Sequence, residues 1–555
     1  MSSTEYAADP EKQAGATYSS KQPGDTQVVM RGLDGDAPEG TVHRGLKARH
    51  LQMISLGGTI GTGLFVGAGS ALATGGPLGI WLGYSIMGLV VGTMMIALGE
   101  LTTLYPVSGA FVHYTARFVD PAVGFALGWN YWYSYAITLP TEEGHIITAA
   151  ALVIQFWRDD INVAVWITVF FVVICGFNFL GVRAYGEAEF WFSIIKIITI
   201  LGLILLGIII TAGGVPGTDP IGFRFWNNPG PFQQMNGIPG SKGRFLAFWS
   251  TLVQGAFSYL GTEIVALTAG EAENPRRNMP KAIRRVFFRI LFFYVIGTFV
   301  MGLIVSPNDD ALTNGEGVAA SPWVIAIKNA GISGLPSVIN AVVLLSAFSA
   351  GNSDLYASSR TLYGLAQDGK APAFFRRCTK NGLPIWCLVA TAAVGLLAYM
   401  NVGTGSTTAF NYLSNLSSIT GLITWASINF SFIRFYYGCK KHGIDRNEHP
   451  FKAPFQPWAS IFGFIVIVLV IFFNGYSVFL DGNWDTADFI ISYITLVIFA
   501  LLWVGWKLFK RTKFVRLESM DFFTGRRELD AMADDEAAKF VEPRNLFEKV
   551  WAWIF

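Results

Sequence analysis

The chain has 555 residues, of which 52% are hydrophobic and only 14% charged, against about 25% charged in soluble domains. That balance excludes a string of soluble domains, and a formal net charge of +2 gives no reason to expect an acidic or basic macromolecular partner such as nucleic acid; what matters is where the charges sit. Abundant glycine and phenylalanine, 60 and 45 residues, suit helices packed closely in lipid.

Residues 1–45 are polar and rich in Ser, Gly, Asp and Lys. They read as a disordered cytoplasmic tail without the apolar core of a signal peptide. Twelve apolar stretches of spanning length follow. Five are expected near 51–73, 78–104, 123–155, 163–182 and 188–213, forming a first repeat over 51–213. Five more are expected near 245–270, 286–306, 335–363, 384–402 and 408–437, a second repeat over 245–437. The last two fall near 456–480 and 486–508, completing a membrane domain over 46–508. Residues 509–555 read as a cytoplasmic tail with an acidic patch from Glu528 to Glu536 and an aromatic end, Trp551 to Phe555.

Basic residues cluster in alternate loops. Arg276, Arg277, Lys281, Arg284 and Arg285 follow span six; Lys370, Arg376, Arg377 and Lys380 follow span eight; Lys440, Lys441, Arg446 and Lys452 follow span ten. The other loops are sparser in Lys and Arg, so both termini are expected inside. Spans one and six are each interrupted by glycine, and five spans separate them. An odd repeat length inverts the second copy, and paired interrupted helices point to a transporter's binding site.

Span one contains Gly57-Gly58-Thr59-Ile60-Gly61-Thr62-Gly63. Each glycine costs up to ~1 kcal/mol against Ala in a helix, and broken backbone is tolerated in lipid only inside protein or beside a cavity. A break frees amides at the head of the second half-helix, which favour a carboxylate, and carbonyls that favour an amine. The α-amino acid zwitterion fits such a pair; the alternative is a small-residue packing face. Span six carries Phe257-Ser258-Tyr259-Leu260-Gly261-Thr262-Glu263. Its aromatics either close over a substrate or pack in the core, and Glu263 marks either a pathway or a structural tie to a neighbouring helix. Pro140 is expected to kink span three, with Glu142, Glu143 and His145 beyond it as candidate proton or amine ligands. Lys196 in span five either snorkels to the interface or is a buried amine that exchanges a proton. Ser349 to Asp354 of span eight either lines a coupling-ion site or holds helices together.

At these residues the sequence resembles the fungal plasma-membrane amino-acid permeases, the yeast amino-acid transporter group of the amino acid–polyamine–organocation superfamily. The matching stretches are GLKARHLQMISLGGTIGTGLFVGAG (45–69), SYLGTEIVALTAGEAENPRRNMPKAIRRV (258–286) and SAGNSDLYASSRTLYGLAQDGKAP (349–372). The resemblance implies an all-α polytopic fold of twelve spans with a LeuT-like inverted repeat of five plus five. It implies proton-coupled uptake of amino acids by alternating access. Thr62 and Gly63 would meet the substrate carboxylate, and Gly58, Thr59 and Ile60 the amine. Phe257, Ser258 and Leu260 would line the unwound part of span six, while Lys196, Glu263 and Glu142 would serve proton coupling. FVDPAVGFALGWNY (118–131), TAAALVIQFW (148–157), GEAENPRRN (270–278) and LLAYMNV (396–402) look closest to dicarboxylic amino-acid permeases, with general and proline permeases sharing much of this. One departure is an extra turn at Glu143-Gly144-His145-Ile146, which bears on whether Glu142 keeps the family position.

A cofactor, a metal site and an enzymatic role are not expected. The six histidines do not cluster, Cys175, Cys378, Cys387 and Cys439 show no ligand spacing, and no GxxxxGK[ST] occurs. The resemblance further implies ubiquitin ligase machinery acting on the tails, with Lys12 and Lys21 as acceptors. A nutrient receptor on the same scaffold is the alternative of a different class.

Overall fold

The computed structural model describes residues 48–107, 109–154, 162–235, 237–270, 272, 275–313, 320–380, 382–402, 406–524 and 545, without the side chains of 48, 49, 143–154, 163, 182, 183, 270, 401, 402 and 406–411. The N-terminal tail with Lys12 and Lys21, the acidic patch and the aromatic end lie outside the described residues, as do the side chains of Glu143 and His145.

Every element among the described residues is helical. Six helices are long and apolar enough to cross a membrane by length and composition, and three shorter apolar helices accompany them. Among the described residues, helical backbone makes up most of each of the twelve expected stretches. Span one is Ala48–Thr59 followed by a wide π-turn, Gly63–Gly67, which runs on into Ala68–Leu104. Gly76 breaks that last helix and starts span two. Its φ of 74° is open to glycine, and a Cβ there would sit 2.9 Å from the backbone of Pro231 and Gln233. Spans three to five are Pro121–Ile154, Val163–Phe179 and Val182–Thr211. Span six is Gly240–Tyr259 plus Ile264–Leu267. Spans seven to nine are Pro275–Ile304, Leu335–Gln367 and Ile385–Gly395, the last extended by a 3-10 turn over Leu396–Val402. Ser406–His442, Trp458–Phe472 and Thr486–Lys510 complete the set as spans ten to twelve.

One expectation needs correction. The cations assigned to a loop after span six, Arg276 to Arg285, lie on the first turns of span seven, whose helix starts at Pro275. Proline is tolerated in a first turn, where its missing N–H has no intrahelical partner, which suits Pro275; Pro280 lies one turn further in, inside the helix, which nevertheless continues through it. Span three is assigned as one helix through Pro140 and through residues 143–146.

Large apolar side chains face outward, among them Trp191, Leu205, Phe288 and Leu501, each about 60% exposed or more; in a bilayer these meet lipid. Inside, the most extensive packing pairs spans five apart: three with eight, and two with seven. The breaks of one and six also pack together.

Beyond span twelve, residues 512–524 fold back across one end of the bundle. Phe522 is buried against Phe118 and Phe435. Arg117 Nε donates to the Asp521 carbonyl at 2.7 Å, and Tyr105 donates its hydroxyl to the Phe522 carbonyl at 3.1 Å.

Candidate functional site

The two breaks lie against each other at the centre of the bundle. Span six turns at Leu260 and Gly261, where Gly261 takes φ 94°. A Cβ on Gly261 would lie 2.8 Å from the Gly58 carbonyl oxygen, and one on Gly63 would lie 2.9 Å from the Ser258 Cα. Glycine is required at both places because backbone meets backbone.

The carbonyls released by the breaks are taken up by side chains from surrounding spans, as buried backbone requires. The Lys196 ammonium donates to the Gly57 carbonyl at 2.6 Å. The Tyr294 hydroxyl bridges the two breaks, 2.8 Å from the Thr59 carbonyl and 2.7 Å from that of Ser258. Ser346 donates to the Ile60 carbonyl at 2.8 Å, and Ser55 to the Thr262 carbonyl at 3.1 Å. Lys196 is wholly buried, which removes the snorkelling alternative.

Four buried acids, Glu142, Glu189, Glu263 and Asp354, surround the breaks, and the first three are each differently held. Glu142 accepts from Thr62 Oγ1, with its two oxygens at 3.0 and 2.9 Å. It therefore sits at the head of the second half of span one, where free amides and the helix dipole favour negative charge. Glu263 accepts from Tyr135 at 2.6 Å, Trp425 Nε1 at 3.0 Å, Tyr131 at 3.3 Å and Thr262 at 3.4 Å. Four donors from spans three, six and ten tie the span-six break into the scaffold. Glu189 accepts from Ser349 at 2.6 Å and Asn352 at 2.9 Å, and Asn178 Nδ2 donates to Asn352 Oδ1 at 2.7 Å.

Glu189 was missed in the sequence. Its signal was available: seven residues before Lys196 it shares a helical face, and both converge on Gly57, where a Cβ would lie 2.6 Å from Glu189 Oε2. The Ser349–Asn352 stretch thus serves an acid from span five. Tyr294, in an aromatic run of span seven, was equally unmarked.

Between the breaks lies a cavity of about 20 Å³, room for roughly one water. Of the expected substrate residues, Gly58, Thr59, Gly63, Phe257, Ser258 and Leu260 line it, together with Glu142. Ile60 and Thr62 do not. Ile60 takes part through its bonded carbonyl, and Thr62 through its bond to Glu142. Lys196 and Glu263 stand behind the wall. Tyr135, Thr138 and Asp354 complete the polar lining. Among the described residues no group of three or more His, Cys, Asp or Glu is placed to hold a metal ion. The four cysteines form no disulfide.

Residues 50–519 match the family model described as amino acid permease. A proline-specific permease of Emericella nidulans is 41% identical over 532 residues, covering 94% of this chain and 95% of that protein. A dicarboxylic amino acid permease of Saccharomyces cerevisiae is 42% identical, covering 91% and 84%, and a lysine-specific permease of the same yeast 41%, covering 95% and 86%. Among solved structures, Mhp1, a nucleobase-cation-symport-1 family transporter in a closed conformation with bromovinylhydantoin bound, superposes with a TM-score of 0.51. The identity is 14%, and the match covers 90% of this chain and 99% of that one. This likeness gives the fold, that of LeuT-like membrane transporters.

Proposed function

Since the chain belongs to the amino acid permease family and is a transporter rather than an enzyme, we propose that it imports amino acids with protons across the plasma membrane, both termini cytoplasmic. The observation that carries this reading is the pair of facing breaks around one small cavity. The head of the second half of span one, at Thr62 and Gly63, would meet the substrate carboxylate once Glu142 exchanges Thr62 for the substrate amine, to which Thr59 and Ser258 also offer oxygen. A cavity of about 20 Å³ is closed around the breaks, so alternating access must widen it by moving one helix set against another.

The resemblance at 118–131 and 396–402 supports glutamate and aspartate as substrates, as does the dicarboxylic relative. The charges lining the cavity weigh the other way. They are Glu142 and Asp354, and among the described residues no Lys or Arg joins them. A second carboxylate on the substrate would meet like charge there. A general or proline-type range suits this lining better and accords with the equal identity to proline and lysine permeases.

Uptake of radiolabelled glutamate and proline in transport-deficient fungal cells, each competed by all other amino acids at two pH values, tests both parts. Competition of glutamate uptake by aspartate alone would restore the acidic reading. Accumulation that persists after the proton gradient is collapsed would remove proton coupling.

A further inference from the structure

Glu189 is a wholly buried acid that does not line the cavity between the breaks. One face of span five carries Glu189, Ser193 and Lys196 at intervals of four and three residues, and all three meet Gly57 in the break of span one. The Lys196 ammonium donates to the Gly57 carbonyl at 2.6 Å. A Cβ on Gly57 would lie 2.6 Å from Glu189 Oε2 and from Ser193 Oγ. A tie between spans five and eight needs no charge there: a glutamine could join the same spans without the cost of burying a carboxylate inside a membrane domain.

The two oxygens of Glu189 have different partners. Oε1 accepts from Asn352 Nδ2 at 2.9 Å. The direction of that bond is fixed from span four. Asn178 Nδ2 donates to the carbonyls of Ile174 at 3.2 Å and Asn352 at 3.3 Å, so it is also the donor to Asn352 Oδ1 at 2.7 Å. The Asn352 amide nitrogen, which can only donate, is thereby left to Glu189, and Oε1 cannot hold a proton toward it. Oε2 instead meets the Ser349 hydroxyl at 2.6 Å, and a hydroxyl donates to a carboxylate or accepts from a carboxyl. These surroundings accommodate Glu189 in both protonation states, and the oxygen free to take the proton is the one that faces Gly57. Ser353 is a further hydroxyl beside Glu189, and it accepts from Tyr185 at 3.1 Å.

We propose, resting on the proton-coupled import proposed above, that Glu189 is a second proton carrier, which takes the proton that Lys196 releases and passes it to the cytoplasmic side. In that step one N–H bond of the Lys196 ammonium breaks and an O–H bond forms at Glu189 Oε2. Ammonium and carboxylate become amine and carboxyl, and the total charge is unchanged. Oε2 then gives its proton to water entering from the cytoplasm, and Lys196 is recharged from the cavity side, where Glu142 stands. Depth gives the direction. Glu189 lies seven residues, about 10 Å, closer than Lys196 to the start of span five, which is cytoplasmic in that reading. Two residues before it, Glu187 is about half exposed and bonds His50 of span one at 3.0 Å. The other titratable groups around the pair are Tyr185 on span five, Glu142 on span three and Asp354 on span eight. Tyr294 of span seven is engaged with the carbonyls of Thr59 and Ser258.

The test uses the full-length purified chain in liposomes with the membrane potential clamped, supplied with a radiolabelled mixture of all the protein amino acids. With one proton per amino acid, a gradient of one pH unit, acid outside, supports up to about tenfold accumulation. The wild type is expected to approach that value, Glu189→Gln to equilibrate the label without accumulating it, and Glu189→Asp to restore part of the accumulation. Accumulation by Glu189→Gln at the wild-type level overturns the proposal and leaves Glu189 a tie. A folded Glu189→Gln that no longer equilibrates the label overturns it as well. A wild type that equilibrates the label without accumulating it removes proton-coupled import itself, which is a different failure. Should Glu189→Gln not fold, Ser349→Ala carries the test. The bond it removes from the carboxylate is stronger than the one it removes from the carboxyl, so Glu189 holds its proton more tightly. The internal pH of half-maximal uptake is then expected to rise by an amount equal to about a fivefold change in proton concentration. An unmoved dependence on internal pH overturns the proposal.

Discussion

The break of span six and the break of span one are each served by a buried acid, and the two acids are held in opposite ways. Glu263 accepts four hydrogen bonds from three spans. Glu142 lines the cavity and accepts from the Thr62 side chain. A carboxylate with every lone pair engaged is a tie, because moving it would strand several buried donors at once. A carboxylate whose described donors all come from one residue, Thr62, at the mouth of a half-helix can exchange that partner for a substrate or a proton. Burial is nearly equal in the two cases; the number of donors distinguishes them.

The largest effect follows from cutting the tie. Glu263→Leu leaves Tyr135, Trp425 and Tyr131 without their acceptor, at about 3 kcal/mol or more in total. Loss of the monodisperse peak in fluorescence-detected size exclusion, or a steep fall in melting temperature, is the expected result. Glu142→Gln keeps an oxygen for Thr62 and is expected to stay within about 1 kcal/mol of wild type while losing concentrative uptake. Should the two variants be destabilised alike, the contrast between tie and site is broken.

The next effect concerns the backbones the acids serve. Gly261→Ala adds a Cβ 2.8 Å from the Gly58 oxygen and forces φ 94° on an alanine. Overpacking and strain together are expected to cost about 2–4 kcal/mol. Gly334→Ala has the same sign of φ, 83°, with open space around it, so it reports the strain alone at about 1–2 kcal/mol. Thermal stability of the two variants side by side separates close approach from conformation. Equal losses would mean that the contact between the breaks contributes nothing.

Lys196→Met comes third in stability, at about 1–3 kcal/mol for the Gly57 carbonyl left unbonded. In transport it is expected to abolish uphill uptake with surface expression kept. Normal concentrative uptake by that variant would reduce Lys196 to a cap on a broken helix.

These contrasts were only partly legible in the sequence. Four glycines in seven residues, and Gly261 beside a polar run, announced the breaks because glycine has no other economical reason to gather inside an apolar span. Spanning lengths were legible from hydropathy for the same kind of local reason. The partners of the freed carbonyls were not. Tyr294, Ser346 and Ser55 sit in ordinary helical sequence, and they become ligands of backbone only when spans seven, eight and one close around the site. Glu189 was passed over because it lies near the start of its span, where an acid looks like an interface residue. The start of span seven was misread because prolines and cations mark loops on average, whereas here the helix starts at Pro275 and continues through Pro280 and the cations. Which acid is a tie and which lines the cavity depends on donors brought from distant spans, and no local pattern records that.

The smallest effect lies outside the spans and has a definite sign with pH. Asp120, just before span three, is fully covered, and it accepts from Lys507, from Thr512 at 2.9 Å and from the Ala122 amide at 2.8 Å. Burial pushes its carboxyl up, but the Lys507 ammonium, the Ala122 amide and the Thr512 hydroxyl outweigh that and hold it below the usual carboxylate range. A depressed folded value contributes stability above the unfolded value of about 3.9 and loses it as pH falls through the folded value. Lys507 is about one-third exposed, so solvent screening keeps the contribution to about 1 kcal/mol. Asp120→Asn is therefore expected to lower the melting temperature slightly near neutral pH, and the difference from wild type is expected to vanish in acid below the folded value. A difference that stayed constant into acid would show that shape and hydrogen bonding, rather than charge, join the end of span twelve to the start of span three. Asp120 would then be another tie of the Glu263 kind, placed at the edge of the bundle instead of its centre.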